Sequence, residues 1–396
     1  MDIVIIADFV GRLDDTDNNR FTYLAEMLLK KGHDVEIVTS DFNHGTKQFF
    51  EKKYAYNGIK ITMIHEPRYR KNVCIKRFFA HYLWGKSVGI FLKRRKKPDV
   101  VYCAMPTLKA ASVAGKYCNK HGIKFIIDVQ DLWPEAYKMV FNIPIISSIV
   151  FLPFKILANS AYKRADEIVA VSKTYVDRAL RVNKKVKEGH SVFLGTDLDV
   201  FDSFSKSGIP YEKKDQEIWL GYCGTLGASY DLKVVFDALR LLNNPKIKFV
   251  VMGDGPKYDE FKAYSTGLNV LFTGKLPYTD MCALLAKCDI AVNPIMHNAA
   301  QSIINKHADY AAAGLPIINT QESKEYQNLV SYYEMGFNCK NNDSVDLKNR
   351  IQILVDDIEL RKRMSVNSRR CAEELFNRLN TYPAIINLLE VKNDSN

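Results

Sequence analysis

The stretch from the N-terminus to Ser40 constrains the fold more than any other feature. IVIIA, Ile3 to Ala7, is an unbroken apolar run. FTYLAEMLLKKG follows with apolar residues at helical spacing and Gly32 as its stop, and DVEIVTS ends near Ser40. Apolar runs without alternation mark strands buried on both faces. Strand, helix and strand in that order call for a right-handed crossover between parallel strands. KITMI, DVVYCAM, KFIIDV, EIVAVS and SVFLG read as further strands, with helical patterns between most of them, including LKAASVAGKYCNKHG ending at Gly122. The class is therefore α/β, with a mainly parallel sheet.

The alternation pauses from about Thr196 to Glu217, a polar stretch with Gly208, Pro210 and a lysine pair, which reads as a linker. It restarts with IWLGYCG, LKVVFDALRLL, KFVVMG, NVLFTG, MCALLAKC, IAVNPI, a short helix ADYAAAG and PIINT. The second half repeats the architecture of the first without repeating its sequence. A chain of 396 residues suits two domains at roughly 100–200 residues each. The expected division is 1–200 and 201–375, with a C-terminal helix at about 376–396 returning to the first domain. Two such sheets facing each other place a cleft at their C-terminal edges, where open α/β sheets bind ligands.

The net charge of +11 asks for an anionic partner: nucleic acid, a phosphorylated small molecule or an anionic membrane face. Eight cysteines show no C-x-x-C pair, which argues against a zinc ribbon or a thioredoxin-like motif. Several lie in apolar runs such as VVYCAM, so a reducing cytosol is expected. MDIVIIADF lacks the basic start and cleavage site of a signal peptide. Met139 to Phe154 is apolar but broken by Pro144 and Pro153. It falls short of the roughly 20 residues that a span needs, and can instead lie on a membrane.

Chemistry concentrates in the loops after the strands. GYCGTLGASYD places Gly224, Thr225 and Gly227 between a strand and a helix. Backbone N–H groups there can meet a phosphate, or the glycines can serve a tight turn. VVMGDGP ends a strand in Gly253, Asp254 and Gly255, with the same two readings. The richest segment runs from Asn293 to Asn319. Its loop holds His297, Asn298, Gln301 and Ser302, and Lys306 and Asp309 open a helix of small residues stopped by Gly314. Lys306 and Asp309 share a helix face, as a surface ion pair would. A cation beside a hydroxyl acceptor equally describes a nucleotide site.

In the first half, KFIIDVQDLWPEAY carries Asp128, Gln130, Asp131, Trp133 and Glu135 past a strand end. The acids can face a cleft, or Asp131 can cap a helix with Pro134 in its first turn. TSDFNHGTKQ adds His44 and Lys47, which nothing local pairs.

Together these segments resemble the family 4 glycosyltransferases, a retaining family with the GT-B fold of two Rossmann-like, doubly wound domains facing across a cleft. The resemblance rests on RFTYLAEMLLKKGHDVEIVTS, DVQDLWPEA, AVS, FLGTDLDVF, GYCGTLG, VVMGDGP and KHADYAAAGLPIIN, in that order. DLWPE and the N-terminal segment are most like the branch that builds bacterial capsule, O-antigen and exopolysaccharide. The family's Glu, seven residues, Glu pattern is Gln301 and Asp309 here. By resemblance, the first contacts the transferred sugar and the second holds the ribose. Thr225 and Tyr230 stand where the family often has an Arg and a Lys on the diphosphate, which leaves Lys306 as the cation. Gln130 stands for a frequent His beside Asp131.

The resemblance implies catalytic roles for Asp131, Gln301 and Lys306. It implies nucleotide contacts from Gly224, Thr225, Gly227, Gly253, Asp254, Gly255, Ser302 and Asp309, and acceptor contacts from Arg20, His44, Lys47, Gln130 and Glu135. The donor would be a nucleotide diphosphate sugar, most simply UDP-linked, used without a metal or other cofactor. The acidic run Asp14 to Asp17 lies in a loop and suits solvent. With no carboxylate nucleophile visible, front-face attack is expected, the leaving phosphate taking the acceptor proton. The acceptor would be a lipid-linked saccharide such as a polyprenyl diphosphate sugar. Arg77 to Lys97, apolar with a dense basic end, would rest the enzyme on the inner face of the cell membrane, or form a core helix with a solvated tip. A non-hydrolysing sugar-nucleotide epimerase, or a basic nucleic-acid-binding protein, remains the alternative. The latter lacks any RNP, KH or helix-turn-helix setting.

Overall fold

The computed structural model describes residues 1–10, 19–50, 57–71, 74–136, 149–297, 299 and 302–391. The chain divides into two compact units, Met1–Val192 with Tyr382–Asn396, and Phe193–Thr381.

The first unit contains β1 (Asp2–Ile6), β2 (Asp34–Ser40), a small hairpin of β3 (Phe42–Asn43) and β4 (Gln48–Phe49), then β5 (Lys60–Ile64), β6 (Val100–Met105), β7 (Lys124–Val129), β8 (Glu167–Ala170) and β9 (His190–Ser191). The main sheet runs β5-β2-β1-β6-β7-β8-β9 with parallel pairings. Order reverses at β1, where chain direction across the sheet switches and the crevice of a doubly wound sheet opens. Ile3 to Ile6 are fully buried, as a two-faced strand requires. The helix Arg20–Lys30 begins where Asn19 accepts hydrogen bonds from the N–H groups of Phe21 and Thr22. The helix Leu108–His121 ends at Gly122, whose φ of +64° suits a residue without Cβ. SVFLG contributes only Ser191 to the sheet, because Phe193 packs on Phe376 of the second unit.

The helix Pro383–Glu390 belongs to the first unit. Tyr382, Ile385, Ile386 and Leu389 are buried in one core with Ile3, Ile5, Leu24 and Leu28.

The second unit contains β10 (Ile218–Cys223), β11 (Ile247–Met252), β12 (Val270–Gly274), β13 (Ile290–Asn293), β14 (Ile317–Asn319) and β15 (Gly336–Asn338). Its sheet runs β12-β11-β10-β13-β14-β15, parallel at every pairing, with its switch between β10 and β13. The segment read as a linker holds a helix, Leu198–Phe204, with Leu198 and Phe201 buried in this unit's core. The first boundary therefore falls after Val192, not at 200. Thr196 N donates to Phe376 O at 2.8 Å and Arg378 N to Thr196 O at 3.0 Å, tying both ends of the unit together.

Candidate functional site

At the C-terminal edge of the second sheet lies a cavity of about 550 Å³. Among its lining residues are Gly224, Thr225, Gly253, Asp254, Lys306 and Asp309. The loops after β10 and β11 lock together: Gly224 N donates to Met252 O, Leu226 N to Asp254 O, and Lys257 N to Leu226 O, each at 2.9 Å. A Cβ on Gly253 would collide with the Gly224 carbonyl oxygen, and one on Gly255 with that of Leu226. These two glycines serve the close approach of two loops. Gly227 and Ser302 do not line the cavity; the Ser302 hydroxyl is buried without a hydrogen-bond partner. Gln301 lies outside the described residues, as do Asn298 and Asp14 to Asp17.

Lys306 is the second residue of the helix Asn305–Ala312 and is only 6% exposed. Its Nζ has no hydrogen-bond partner. Two tyrosine rings hold it, with centroids 4.1 Å away at Tyr230 and 4.9 Å away at Tyr222. Desolvation brings its pKa down to about 7. Asp309 is 5% exposed and accepts a 2.8 Å hydrogen bond from the Tyr278 hydroxyl, which lies 2.9 Å from Thr196 Oγ1. Burial pushes its carboxyl up to about 6, opposed by the Tyr278 bond and the charge of Arg378. Lys306 and Asp309 are both buried and form no ion pair, so the surface salt-bridge reading does not hold. The arrangement is a dry cation with open valence beside a dry carboxyl: it can take an anion on one side and hydroxyls on the other.

A network that joins three strand ends sits behind this helix. β13, β14 and β15 end in Asn293, Asn319 and Asn338, which are in register. Asn293 Nδ2 donates to Asn319 Oδ1 at 2.8 Å and Asn319 Nδ2 to Asn338 Oδ1 at 2.9 Å. His307, stacked on Tyr326 with centroids 3.9 Å apart, accepts at Nδ1 from Ile304 N at 3.0 Å and turns Nε2 to the Asn293 amide. The amide ladder thus ends at the N-terminus of the Lys306 helix. IAVN, PIIN and GFN repeat an Asn at a strand end, which is the signal that could have found it.

In the first unit, several expected residues are engaged internally. Arg20, expected among the acceptor contacts, is buried and paired: its Nε lies 2.8 Å from Asp128 Oδ2, Nη1 donates to Val192 O at 3.1 Å, and it is 3% exposed. Glu135 pairs with Arg178 Nε at 2.6 Å. Gln130 Nε2 donates to Asp128 Oδ2 at 3.2 Å. Asp131 accepts from Leu132 N at 2.8 Å and from the Trp133 indole at 2.9 Å, closing its own turn, while burial raises its pKa.

His44 and Lys47 converge on a cluster that the sequence reading passed over. His44 Nδ1 is 2.7 Å from Tyr69 OH, and Lys47 Nζ sits 4.8 Å from the Tyr69 ring. Next to them, Asp8 follows β1, Glu66 follows β5, and His81 lies on the helix Ile75–Arg94. These three are 5%, 1% and 5% exposed, and they bring one ligand atom each within 4.8 Å of one another. Both Asp8 oxygens and Glu66 Oε1 lack hydrogen-bond partners. Burial raises both carboxyl pKa values and lowers those of His81 and His44. Arg77 Nε donates to His81 Nε2 at 3.2 Å, and the Arg77 guanidinium lies 4.6 Å from the Trp133 ring.

The two halves of the chain match two family models in order. Residues 18–199 match Glycosyltransferase Family 4, and residues 206–370 match Glycosyl transferases group 1. The probable glycosyltransferase WbjE of Pseudomonas aeruginosa is 23% identical over 308 residues, 74% of each chain. An uncharacterized glycosyltransferase, MJ1069 of Methanocaldococcus jannaschii, is 24% identical over 56% of this chain and 58% of its own. Among solved structures, HepE of Anabaena, crystallised with UDP, superposes with a TM-score of 0.70 at 16% identity over 98% of this chain and 99% of its own. WaaG, a glycosyltransferase of lipopolysaccharide biosynthesis, gives 0.67 at 16% identity over 97% and 99%. A UDP-N-acetylglucosamine 2-epimerase shares the fold at 0.60 and 14% identity, covering 97% of this chain and 98% of its own, yet both family models are those of transferases. With the N-terminal and C-terminal halves each carrying the matching part, this chain belongs to the family 4 glycosyltransferases and has their GT-B fold.

Proposed function

We propose that the protein transfers a sugar, with retention, from a UDP-linked donor to a lipid-linked saccharide during synthesis of a surface polysaccharide. The observation that carries the donor half is Lys306: a buried ammonium without a hydrogen-bond partner in a cavity that also holds the Asp309 carboxyl. A desolvated cation of this kind is worth most to an anion that gains charge as it leaves. In this reading Lys306 meets the diphosphate and Asp309 accepts from the ribose hydroxyls. The helix N-terminus adds partial positive charge, so the reaction needs no metal. Attack comes from the face of the leaving group, whose phosphate oxygen takes the acceptor proton. That HepE and WaaG share the fold, the first crystallised with UDP and UDP-glucose, supports the donor class and the polysaccharide setting. Calorimetry with UDP tests it; no binding by the wild type would sink the reading.

The lipid half rests on the helix Ile75–Arg94. Its outer stripe carries Ile75, Phe79, Tyr82 and Ile90, which are 86%, 60%, 41% and 50% exposed. Ile149, Val150, Leu152 and Ile156 are likewise exposed, and Phe78 packs on Phe154 with centroids 4.9 Å apart. Inward, Trp84, Val88 and Leu92 are fully buried. The helix is thus apolar on both faces, more than a core helix with a solvated tip. Lys86 and Lys93 share the face of the outer stripe, and Arg94, Lys96, Lys97 and Lys155 are also exposed, whereas Arg95 is held by Asp2 and Glu36. No described helix is long and apolar enough to cross a membrane. This face would rest on anionic lipid. Flotation with phosphatidylglycerol vesicles at low salt should be lost in a Phe79→Ser, Ile90→Ser, Lys93→Gln, Arg94→Gln variant.

A further inference from the structure

We propose that Asp8 and Glu66 form a binding site for the hydroxyls of a neutral saccharide, with the rings of Phe9, Tyr69 and Trp133 around it. The inference deepens the reading above, in which the first unit receives the acceptor, by naming the groups that would hold its sugar.

Three independent observations converge. The first is topological: Asp8, Ser40 and Glu66 stand at or just past the C-terminal ends of β1, β2 and β5, beside the switch point of the first sheet. The second is unspent valence. Ser40 Oγ donates to Glu66 Oε2 at 2.8 Å, but Glu66 Oε1 and both oxygens of Asp8 are buried with no hydrogen-bond partner. Buried polar atoms are nearly all satisfied in native structures, so three such oxygens in one cluster mark a missing partner. The third is the aromatic surround. Phe9 lies 4.9 Å from His44 and 5.5 Å from His81, Trp133 lies 5.4 Å from His81, and Tyr69 stacks on His81 at 6.0 Å, all between ring centroids. Apolar walls with a few convergent polar groups are the ordinary make-up of a small-molecule site. Half-buried His44, Lys47 and Phe9 carry the cluster to the surface.

The chemistry of the neighbours selects the ligand. A divalent cation is the obvious rival, since two carboxylates and an imidazole are a familiar donor set. His81 argues against it. Its Nε2 accepts from Arg77, so the neutral ring carries its proton on Nδ1, the nitrogen 3.0 Å from Asp8 Oδ2, though outside hydrogen-bond geometry. A protonated nitrogen ligates no metal. Charge balance points the same way. Burial raises both carboxyl pKa values, to about 7 for Asp8 and about 8 for Glu66, so near pH 7 the pair carries less than two negative charges beside Arg77. An added dication would bring more positive charge to a site that already holds Arg77 with Lys47 near it; a neutral polyol brings none. An ionised carboxylate oxygen accepts from hydroxyls and a protonated one donates, so the pair can meet a vicinal diol from both sides.

The test uses the full-length protein with UDP present at saturation, so that the second unit's cavity is occupied. Saturation-transfer NMR is run against a panel of methyl glycosides, with wild type, Asp8→Asn, Glu66→Gln and the rim variant His44→Ala. At least one glycoside should bind the wild type and weaken tenfold or more in both isosteric variants, while the UDP dissociation constant stays unchanged. The infrared carbonyl stretch of a protonated carboxyl, present in wild type at pH 7, should vanish in the Asp8→Asn, Glu66→Gln double variant. Unchanged glycoside binding in both variants would overturn the proposal, as would stoichiometric Mn²⁺ or Zn²⁺ binding that Asp8→Asn abolishes. If the variants do not fold, loss of glycoside binding in His44→Ala at an unchanged melting temperature supports the site, and retained binding overturns it. Failure of wild type to bind UDP would count against the donor reading alone, since the carboxyl band and the glycoside signals do not depend on it.

Discussion

The strand-end sites of the two units present opposite electrostatic problems on the same topology. In each sheet the central strand, β1 or β10, ends at the point where strand order reverses. In the second unit the elements after the strands bury a cation with no anion; in the first they bury two carboxyls beside the buried Arg77. Sheet order decides where a ligand goes, and a few loop residues decide its charge. A third buried charge completes the comparison: Arg20, as deeply buried as Lys306, is fully paired with Asp128. Paired buried charge belongs to the framework, and unpaired buried charge asks for something from outside.

The largest expected effect breaks the paired member. Arg20→Met should destabilise the first unit by about 3–5 kcal/mol in chemical denaturation, because Asp128 would be left buried without its cation. Lys306→Ala should reduce turnover about 100- to 1000-fold, as loss of a group aimed at developing negative charge does. UDP binding should weaken far less, which calorimetry beside single-turnover rates will show. Asp309→Ala should cost about 1.5–3 kcal/mol of UDP affinity, with the turnover of bound donor nearly kept; wild-type affinity would remove Asp309 from the site. Lys306→Met, which keeps volume and drops the charge, should stabilise the ligand-free protein by about 1 kcal/mol, a rise of roughly 2–4 °C in melting temperature.

The pH dependence should carry opposite signs in the two sites. The Lys306 pKa is depressed to about 7, so the unfolded chain binds more protons above that value. Its contribution to stability is present at high pH and is lost as pH falls through 7. UDP prefers the charged form, so binding should weaken as pH rises above 7, with proton uptake seen as a buffer-dependent calorimetric heat. The Asp8 and Glu66 pKa values are raised to about 7 and about 8. Their contribution is present below the ordinary carboxylate range and is lost as pH rises through 7 and 8. Asp8→Asn should flatten that loss, and Lys306→Met should flatten the other. Equal pH profiles in both variants would erase the contrast.

The strands, and the Lys306–Asp309 pair of the second unit's cavity, were legible because each depends on residues close in sequence. Continuous apolar runs mark buried parallel strands, and a Lys and an Asp one helical turn apart must share a face. Long-range pairings were not legible. Arg20 meets Asp128 across 108 residues, and nothing near either announces it. Leu198 and Phe201 sit in a segment polar enough to read as linker, yet both are buried. Asp8, Glu66 and His81 come from three separate elements, each unremarkable by itself, and only the sheet brings them together. The asparagine ladder is the intermediate case: its residues are visible in sequence, but its register exists only once three parallel strands are aligned.

The return of the chain's last helix to the first unit has a consequence for how the protein is made. Residues 193–381 must be synthesised before Tyr382, Ile385, Ile386 and Leu389 exist to complete the core begun by Ile3 and Ile5. At bacterial and eukaryotic elongation rates of about 5–20 residues per second, that is a wait on the order of 10–40 s. Over that interval the nascent first unit carries an open apolar face while the second unit can already close. An apolar face left open that long invites aggregation, and a stop codon ahead of Tyr382 would leave the core of the first unit incomplete.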